Sequence, residues 1–414
     1  MAQGASRAVA DAANRQAVPT SVVRIPILDT WNHVYGYELL FWDPTGENSD
    51  PAASDVHPNR VCAQIEVEIV SRNLPAFVHC TSSTIGEEWV RWLPACVTVL
   101  ELEGADEPTE EQAAKLADLK SSGYKIALRG PAAEQSPLWN LANYVKVDAA
   151  RIWETERKKL LERIKVSNAH AIATHVDTQQ EFVQRQEEGF QYFQGSYLFR
   201  PEPMPIHHIP ANRMVHLEIL EVLQNSPVDL ERLSQLIKCD ASLTFRLLRL
   251  VNSPLCALRQ EVTSLKSALL LLGEDAARRF ATLTLAAELN TDQPDEILRV
   301  AMQRARFCEQ AATLCGQIAS EQYLIGLVSM FPAMLRTDME SVIKMLPLRE
   351  RASAVLRGKH TAESVLLEWI ASHEQGAWDR CEEIVREAGL SRDQLVQRHS
   401  DAVAWADLVL FNAG

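Results

Sequence analysis

The chain lacks several features that would place it quickly. No pair of cysteines stands in a CxxC spacing, and the eight that occur are scattered along 414 residues. This excludes the dense spacing of a secreted disulfide scaffold and the paired spacing of a zinc ribbon. Cys308 and Cys315 lie seven apart, which on a helix means one face and core packing. No apolar run approaches the roughly 18 residues that a membrane helix needs. Excess positive charge is missing as well. The formal net charge is -14 and the pI about 5.3, which argues against a long-range field that gathers nucleic acid or anionic lipid. Finally, no histidine occurs between His216 and His360, which removes the commonest ligand for a metal site in that stretch.

What is present describes a globular protein of more than one domain. Hydrophobic residues make up 47% and charged residues 23%, and the length suits two domains, each with a sizeable core. Residues 1–20 have no apolar segment of the signal-peptide kind, and we read them as a flexible tail. A reducing cytoplasm fits the cysteine usage.

The hydrophobic pattern changes character near residue 210. From Ser21 onward short apolar segments alternate with amphipathic ones. Strands are expected at Val22–Leu28, Val34–Phe41, Ala76–Cys80, Val97–Leu102, Tyr124–Leu128, Tyr144–Val147, Ala169–Ala173 and Gln191–Phe193. Helices are expected at Asn59–Arg72, Thr109–Ser121, Ala150–Lys165 and Thr178–Glu187. Thr109 and Gln112 form a capping-box signature, and Gly123 closes that helix. Eight strands with interleaved helices predict a (β/α) barrel. About 180 residues is short for that fold, so some outer helices should be reduced.

Residues 201–213, with four prolines, read as a connector. Beyond them the strand signal disappears. Asp229 and Leu230 open a helix with Leu230, Leu233, Leu236 and Ile237 on one face. Asp240 starts another, with Leu243, Leu247, Leu248 and Val251 turned inward, and Asn252-Ser253-Pro254 ends it. A third runs from Ser264 to Leu272 and meets Gly273, a stop signal. Arg246 and Arg249 share a helical face and could touch phosphates, but such a pair is more simply solvated. The fold class is therefore α/β plus all-α: a TIM-like barrel over 21–203, a linker over 204–212 and a helical domain over 213–410.

Val34-Tyr35-Gly36-Tyr37-Glu38-Leu39-Leu40-Phe41 resembles the signature segment of the EAL family, cyclic di-GMP phosphodiesterases built on a metal-dependent barrel. The resemblance continues in order over 21–205. Arg24 to Asp29 matches the opening strand, with Ile25 where the family usually has Gln. Glu38 and Glu101 match metal-binding glutamates. Lys146-Val147-Asp148 matches the segment with the catalytic lysine and an aspartate near the metals. Gln194-Gly195 matches the closing motif.

The departures carry more information. His79 replaces an Asn ligand, and Arg129-Gly130 stands where the family has Asp-Asp. Thr174 replaces a Glu, leaving Asp177 at the end of that run, and Trp42 replaces a phosphate-gripping Arg. Magnesium needs several oxygen ligands in strict geometry, and two-metal hydrolysis needs bridging carboxylates. Exchanging two acids for glycine and a permanent guanidinium shifts the local charge by about three units. No metal and no cofactor are expected, and hydrolysis should be absent. His79 with Glu38 and Glu101 could form a substitute transition-metal site; the adjacent Arg129 favours a core or cleft histidine instead. Glu38 and Arg129 suggest an internal salt bridge in the ion's place.

Residues 229–290 resemble the HDOD family, a helical output module related to HD phosphohydrolases without their metal site. Asp240, Leu243, the stretch 247–253 and Ala268–Gly273 carry this likeness. Ser329-Met330 fills the position where an HD enzyme has His-Asp. Together the resemblances imply a signalling protein that acts through other signalling proteins, in second-messenger, motility or biofilm regulation. A non-hydrolysing cyclic di-GMP receptor, a residual phosphodiesterase and a helical DNA-binding regulator are the alternatives. Nucleic acid and membrane are not expected as partners, and EAL barrels tend to form homodimers.

Overall fold

The computed structural model describes residues 21–42, 67–81, 84–104, 109–130, 136–199, 218–219, 222, 227–238, 247, 266–274, 277, 294–345 and 348–413. Its first half closes eight strands into a barrel in sequence order. They are β1 (Ser21–Asp29), β2 (Val34–Trp42), β3 (Ala76–His79), β4 (Thr98–Glu103), β5 (Lys125–Arg129), β6 (Tyr144–Asp148), β7 (His170–Thr174) and β8 (Tyr192–Phe193). Each coincides with an expected strand within one or two residues. β1 runs antiparallel to both neighbours, β2 and β8, while the remaining pairs are parallel. A tight turn therefore joins β1 to β2, with Asp29 Oδ1 accepting from the backbone N–H of Trp31 and of His33.

Outer helices cover the later strands. They are α1 (Glu110–Ser121), α2 (Glu154–Val166) and α3 (Gln179–Glu188). α1 opens with the expected capping box between Thr109 and Gln112, and α3 has a second between Thr178 and Glu181. Each satisfies two backbone donors that a helix start leaves unpaired. Of the helix expected at Asn59–Arg72, Val67–Val70 is helical and 59–66 lie outside the described residues.

The strand period of two then dictates what the barrel contains. Ile27, Phe77, Val99, Ala127, Tyr144 and Ile172 form one apolar layer, with Tyr35 and Tyr192 packed against it. Two residues further along their strands stand His79, Glu101, Arg129, Lys146 and Thr174. The same alternation that buries the apolar layer aims these five side chains at the barrel axis, one step nearer the mouth.

Among its described residues the second half has helices joined by turns and no strand. It comprises α4 (Leu230–Lys238), α5 (Asp295–Ala311), α6 (Ala319–Val328), α7 (Phe331–Leu335), α8 (Met339–Met345), α9 (Glu350–Leu356), α10 (Val365–Glu374), α11 (Trp378–Ala388) and α12 (Arg392–Ala413). Leu233, Leu236 and Ile237 of α4 are buried, as is Leu247. Leu243, Leu248 and Val251, together with the connector 201–213, lie outside the described residues. Cys308 is fully buried with Cys315 packed beside its cluster, and burial pushes the Cys308 thiol up to about 12. One apolar cluster runs through both halves, from Tyr37 and Leu39 to Ile297, Met302 and Ala406.

Gly195 shows how tightly the barrel closes. A Cβ built there would meet the carbonyl oxygen of Val176 at 2.0 Å, closer than any side chain can sit. Gly195→Ala is expected to destabilise the fold by about 3 kcal/mol or more, the upper end for overpacking. The urea midpoint of the variant checks this.

Candidate functional site

At the centre of the mouth Lys146 sits between two carboxylates. Its Nζ lies 2.7 Å from Glu38 Oε2 and 2.6 Å from Glu101 Oε2. Gln194 Nε2 donates to the same Glu38 oxygen at 2.5 Å. Arg129 follows on β5, with Nη1 3.4 Å from Glu101 Oε1 and Nε 2.7 Å from Glu103 Oε1. Five charges thus alternate in sign from Glu38 through Lys146, Glu101 and Arg129 to Glu103. Glu38, Glu101, Lys146 and Gln194 are all buried.

The strand register explains the chain of contacts. His79 pairs with Glu101, Glu103 with Arg129, and Arg129 with Lys146. The salt bridge anticipated between Glu38 and Arg129 does not form; Lys146 occupies that place, and Arg129 turns to Glu101 and Glu103. Lys146 reaches Glu38 across the barrel from β6, which no local sequence spacing reveals.

The electrostatics follow from burial and partners. Burial pushes the Glu38 carboxyl up, but the Lys146 ammonium and the Gln194 amide outweigh it and hold the group at about 2. Burial lifts Glu101 above its usual range despite the shared ammonium, and the neighbouring Glu38 charge adds to the lift. Each acid has a further donor: the Gln194 amide on Glu38 and the Arg129 guanidinium on Glu101. Burial opposes the Lys146 charge, yet Glu101 and Glu38 more than compensate and raise its pKa. Burial, then the Arg129 guanidinium, lowers His79, which is neutral at pH 7. Its Nδ1 is buried without a hydrogen-bond partner among the described residues.

The remaining expected positions line the rim. Asp148 Oδ2 lies 3.2 Å from His175 Nδ1 and 3.1 Å from Arg151 Nε. Asp177 Oδ1 accepts from the Ser196 hydroxyl at 2.6 Å and the Ser196 N–H at 3.1 Å. Thr174 ends β7 opposite Asp148. Gly130 takes φ +89°, a left-handed conformation in which an aspartate would be strained. Trp42 ends β2, and its side chain lies outside the described residues.

This donor set does not fit the metal ions of a phosphodiesterase barrel. Glu38 and Glu101 already surround an ammonium, and among the described residues no group of three or more His, Cys, Asp or Glu is arranged to hold an ion. A divalent ion about 4 Å from Lys146 would be repelled by roughly 8 kcal/mol at an effective dielectric near 20.

The helical half faces the same opening. A cavity of about 850 Å³ is bounded by Lys146, Arg129 and Asp148 on one side and by Gln303, Glu374 and His399 on the other. Arg304 grips Glu374 through Nη2 at 2.6 Å and Nε at 3.0 Å, and its Nη1 donates to Ser329 Oγ at 3.1 Å. Here too a guanidinium stands among polar groups. His373 and His399 meet at 4.4 Å between ring centroids, with Trp369 stacked on His373. Sequence reading missed this pair: each histidine sits on a different helix, with nothing local to join them.

Similarity to known proteins can now be set beside the geometry. Residues 209–362 match the HDOD domain. The chain carries an HDOD domain. The eight-stranded barrel precedes that domain in the chain. "Cyclic di-GMP phosphodiesterase CdgJ" of Vibrio cholerae is 27% identical over 402 residues, 94% of this chain and 92% of that protein. "Uncharacterized protein YuxH" of Bacillus subtilis is 25% identical over 400 residues, 93% and 97% of the two chains. The Klebsiella pneumoniae BlrP1 calcium/cyclic-diGMP complex aligns at 18% identity with a TM-score of 0.37. That alignment covers 44% of this chain and 56% of that one. No helix among the described residues is long and apolar enough to cross a membrane.

Two outcomes are expected. Lys146→Met strands two buried carboxylates and should cost about 3–5 kcal/mol; adding Glu38→Gln should recover part of the loss, read from chemical denaturation. Burial, helped by the Arg24 charge, depresses His399 from 6.5 to about 3. The folded state keeps it neutral while the unfolded chain takes up a proton below 6.5. Stability should therefore fall as pH drops from 6.5 toward 3, by a few kcal/mol in all. His399→Gln should flatten that slope.

Proposed function

We propose that this EAL–HDOD protein is a non-catalytic signalling component that works through protein contacts of its two halves. The observation that carries this reading is the Lys146 ammonium held between Glu38 and Glu101, with Arg129 beside them. Side-chain cations take the place where hydrolysis of a phosphodiester would require metal ions. Gly130, strained against any larger residue by its φ of +89°, supports the loss of the acid pair. The circuit is one linked to cyclic di-GMP, the substrate in the name of the Vibrio cholerae relative, and the setting is cytoplasmic.

A second reading has its own support. Glu38, Glu101, Lys146, Asp148 and Gln194 are all retained, and the relative just mentioned is named as a phosphodiesterase. Residual hydrolysis of cyclic di-GMP would follow if ions displaced Lys146 from the two glutamates.

Incubation with cyclic di-GMP and Mg²⁺ or Mn²⁺ separates the two. The first reading expects no linear dinucleotide above the level of a Glu38→Ala variant. Turnover by the wild type that Glu38→Ala abolishes would establish the second. Calorimetry should likewise give no saturable micromolar binding of cyclic di-GMP. Separate barrel and HDOD baits should capture signalling proteins, not duplex DNA.

A further inference from the structure

The barrel's first two strands lack the covering helix that a βαβ unit would provide, because a turn joins them directly. Their outer face is instead closed by the HDOD half, and the contact is ionic as well as apolar. Arg24 on β1 donates through Nη1 to Asp407 Oδ2 at 3.1 Å and to the Val70 carbonyl at 3.0 Å. Arg299 on α5 donates to the other Asp407 oxygen. Its Nε reaches Glu296 Oε2 at 3.2 Å, and that oxygen also accepts from the Tyr37 hydroxyl at 3.0 Å. Arg24 lies 5.4 Å from the centre of the Tyr37 ring, which closes a ring of five side chains. Two come from the barrel and three from the helices.

The arrangement is unequal in an informative way. The Arg24 and Arg299 side chains are 7% and 4% exposed, so neither charge is well hydrated. One carboxylate on α12 serves both. Removing it leaves Arg24 with the Val70 carbonyl and Arg299 with Glu296. Water already reaches the Asp407 side chain, which is 29% exposed, and fuller hydration of the two buried guanidiniums requires the halves to part. The closure matters because the cavity over Lys146 is bounded by both halves, and α12 supplies His399 as well as Asp407.

We propose that Asp407 is a latch: it holds the HDOD half closed over the barrel mouth, and its release uncovers the cavity. Closed and open forms would then present different surfaces to partners, with the ring on the outer face of β1 and β2 setting the balance. This holds whether or not the mouth has residual activity.

Asp407→Asn in the full-length chain tests it. The wild type should unfold in one cooperative transition. The variant should show two, a larger scattering radius, and about tenfold or faster amide exchange along α12. Adding Arg24→Gln to Asp407→Asn should change little further, because the two lie on one path. Should Asp407→Asn fail to fold, Tyr37→Phe decides. It keeps every charge, removes the hydroxyl's bond to Glu296 and the one it accepts from Arg72, and should raise α12 exchange a few-fold. A single transition with wild-type radius and exchange in whichever variant folds would overturn the latch. So would general destabilisation without separation of the halves.

Discussion

An ammonium group enclosed by two carboxylates organises the interior of this barrel. Lys146 is buried, as are the glutamates on either side of it. Such a group is stable only because its charge is matched on both sides at hydrogen-bonding distance. The match fixes three strands relative to one another, β2, β4 and β6, across the barrel axis rather than along neighbouring pairs. Arg129 and Gln194 then extend the network to β5 and to the residue following β8. A polar layer of this kind has little freedom, because moving any member exposes a charge without its partner.

The apolar layer beneath it supplies the geometry. Phe77 lies under Lys146, with the ammonium 5.3 Å from its ring centre, and Tyr144 packs edge-on against Phe77. These aromatics fix how far the lysine side chain can retreat. The strand alternation does the rest: a residue two positions beyond a core residue must face the axis. The site is thus a consequence of where the core sits, and its charges are held by the fold instead of by local loops.

Much of the barrel was legible because its signals are local. Strand periodicity, the Thr109–Gln112 box and the glycine stops each depend on residues within one or two turns of chain. The polar layer was legible as a set of residues but not as a set of contacts. Arg129 suggested a partner for Glu38, and the structure gives that partner as Lys146, since pairing across the axis depends on barrel closure. The docking of the helical half left no trace in the pattern. Arg24 reads as one more polar residue of an opening strand, and Asp407 as one more acid on a long helix. Only the uncovered β1–β2 face, implied by a barrel with few outer helices, hinted that something had to lie there.

The two halves share a physical solution. In the barrel, Lys146 and Arg129 neutralise Glu38, Glu101 and Glu103; in the helical half, Arg304 bridges Glu374 and Ser329. A side-chain cation differs from a bound ion in one decisive respect. It is tethered, it cannot be chelated or exchanged, and guanidinium does not lose its proton. Ligand-free acids at these places would repel one another and loosen the fold. With the cations built in, the carboxylates of both clusters are paired. Because both line one cavity, the region between the halves is held by paired charges on each wall. What remains adjustable is the separation of those walls, and that depends on contacts at the outer face of β1 and β2.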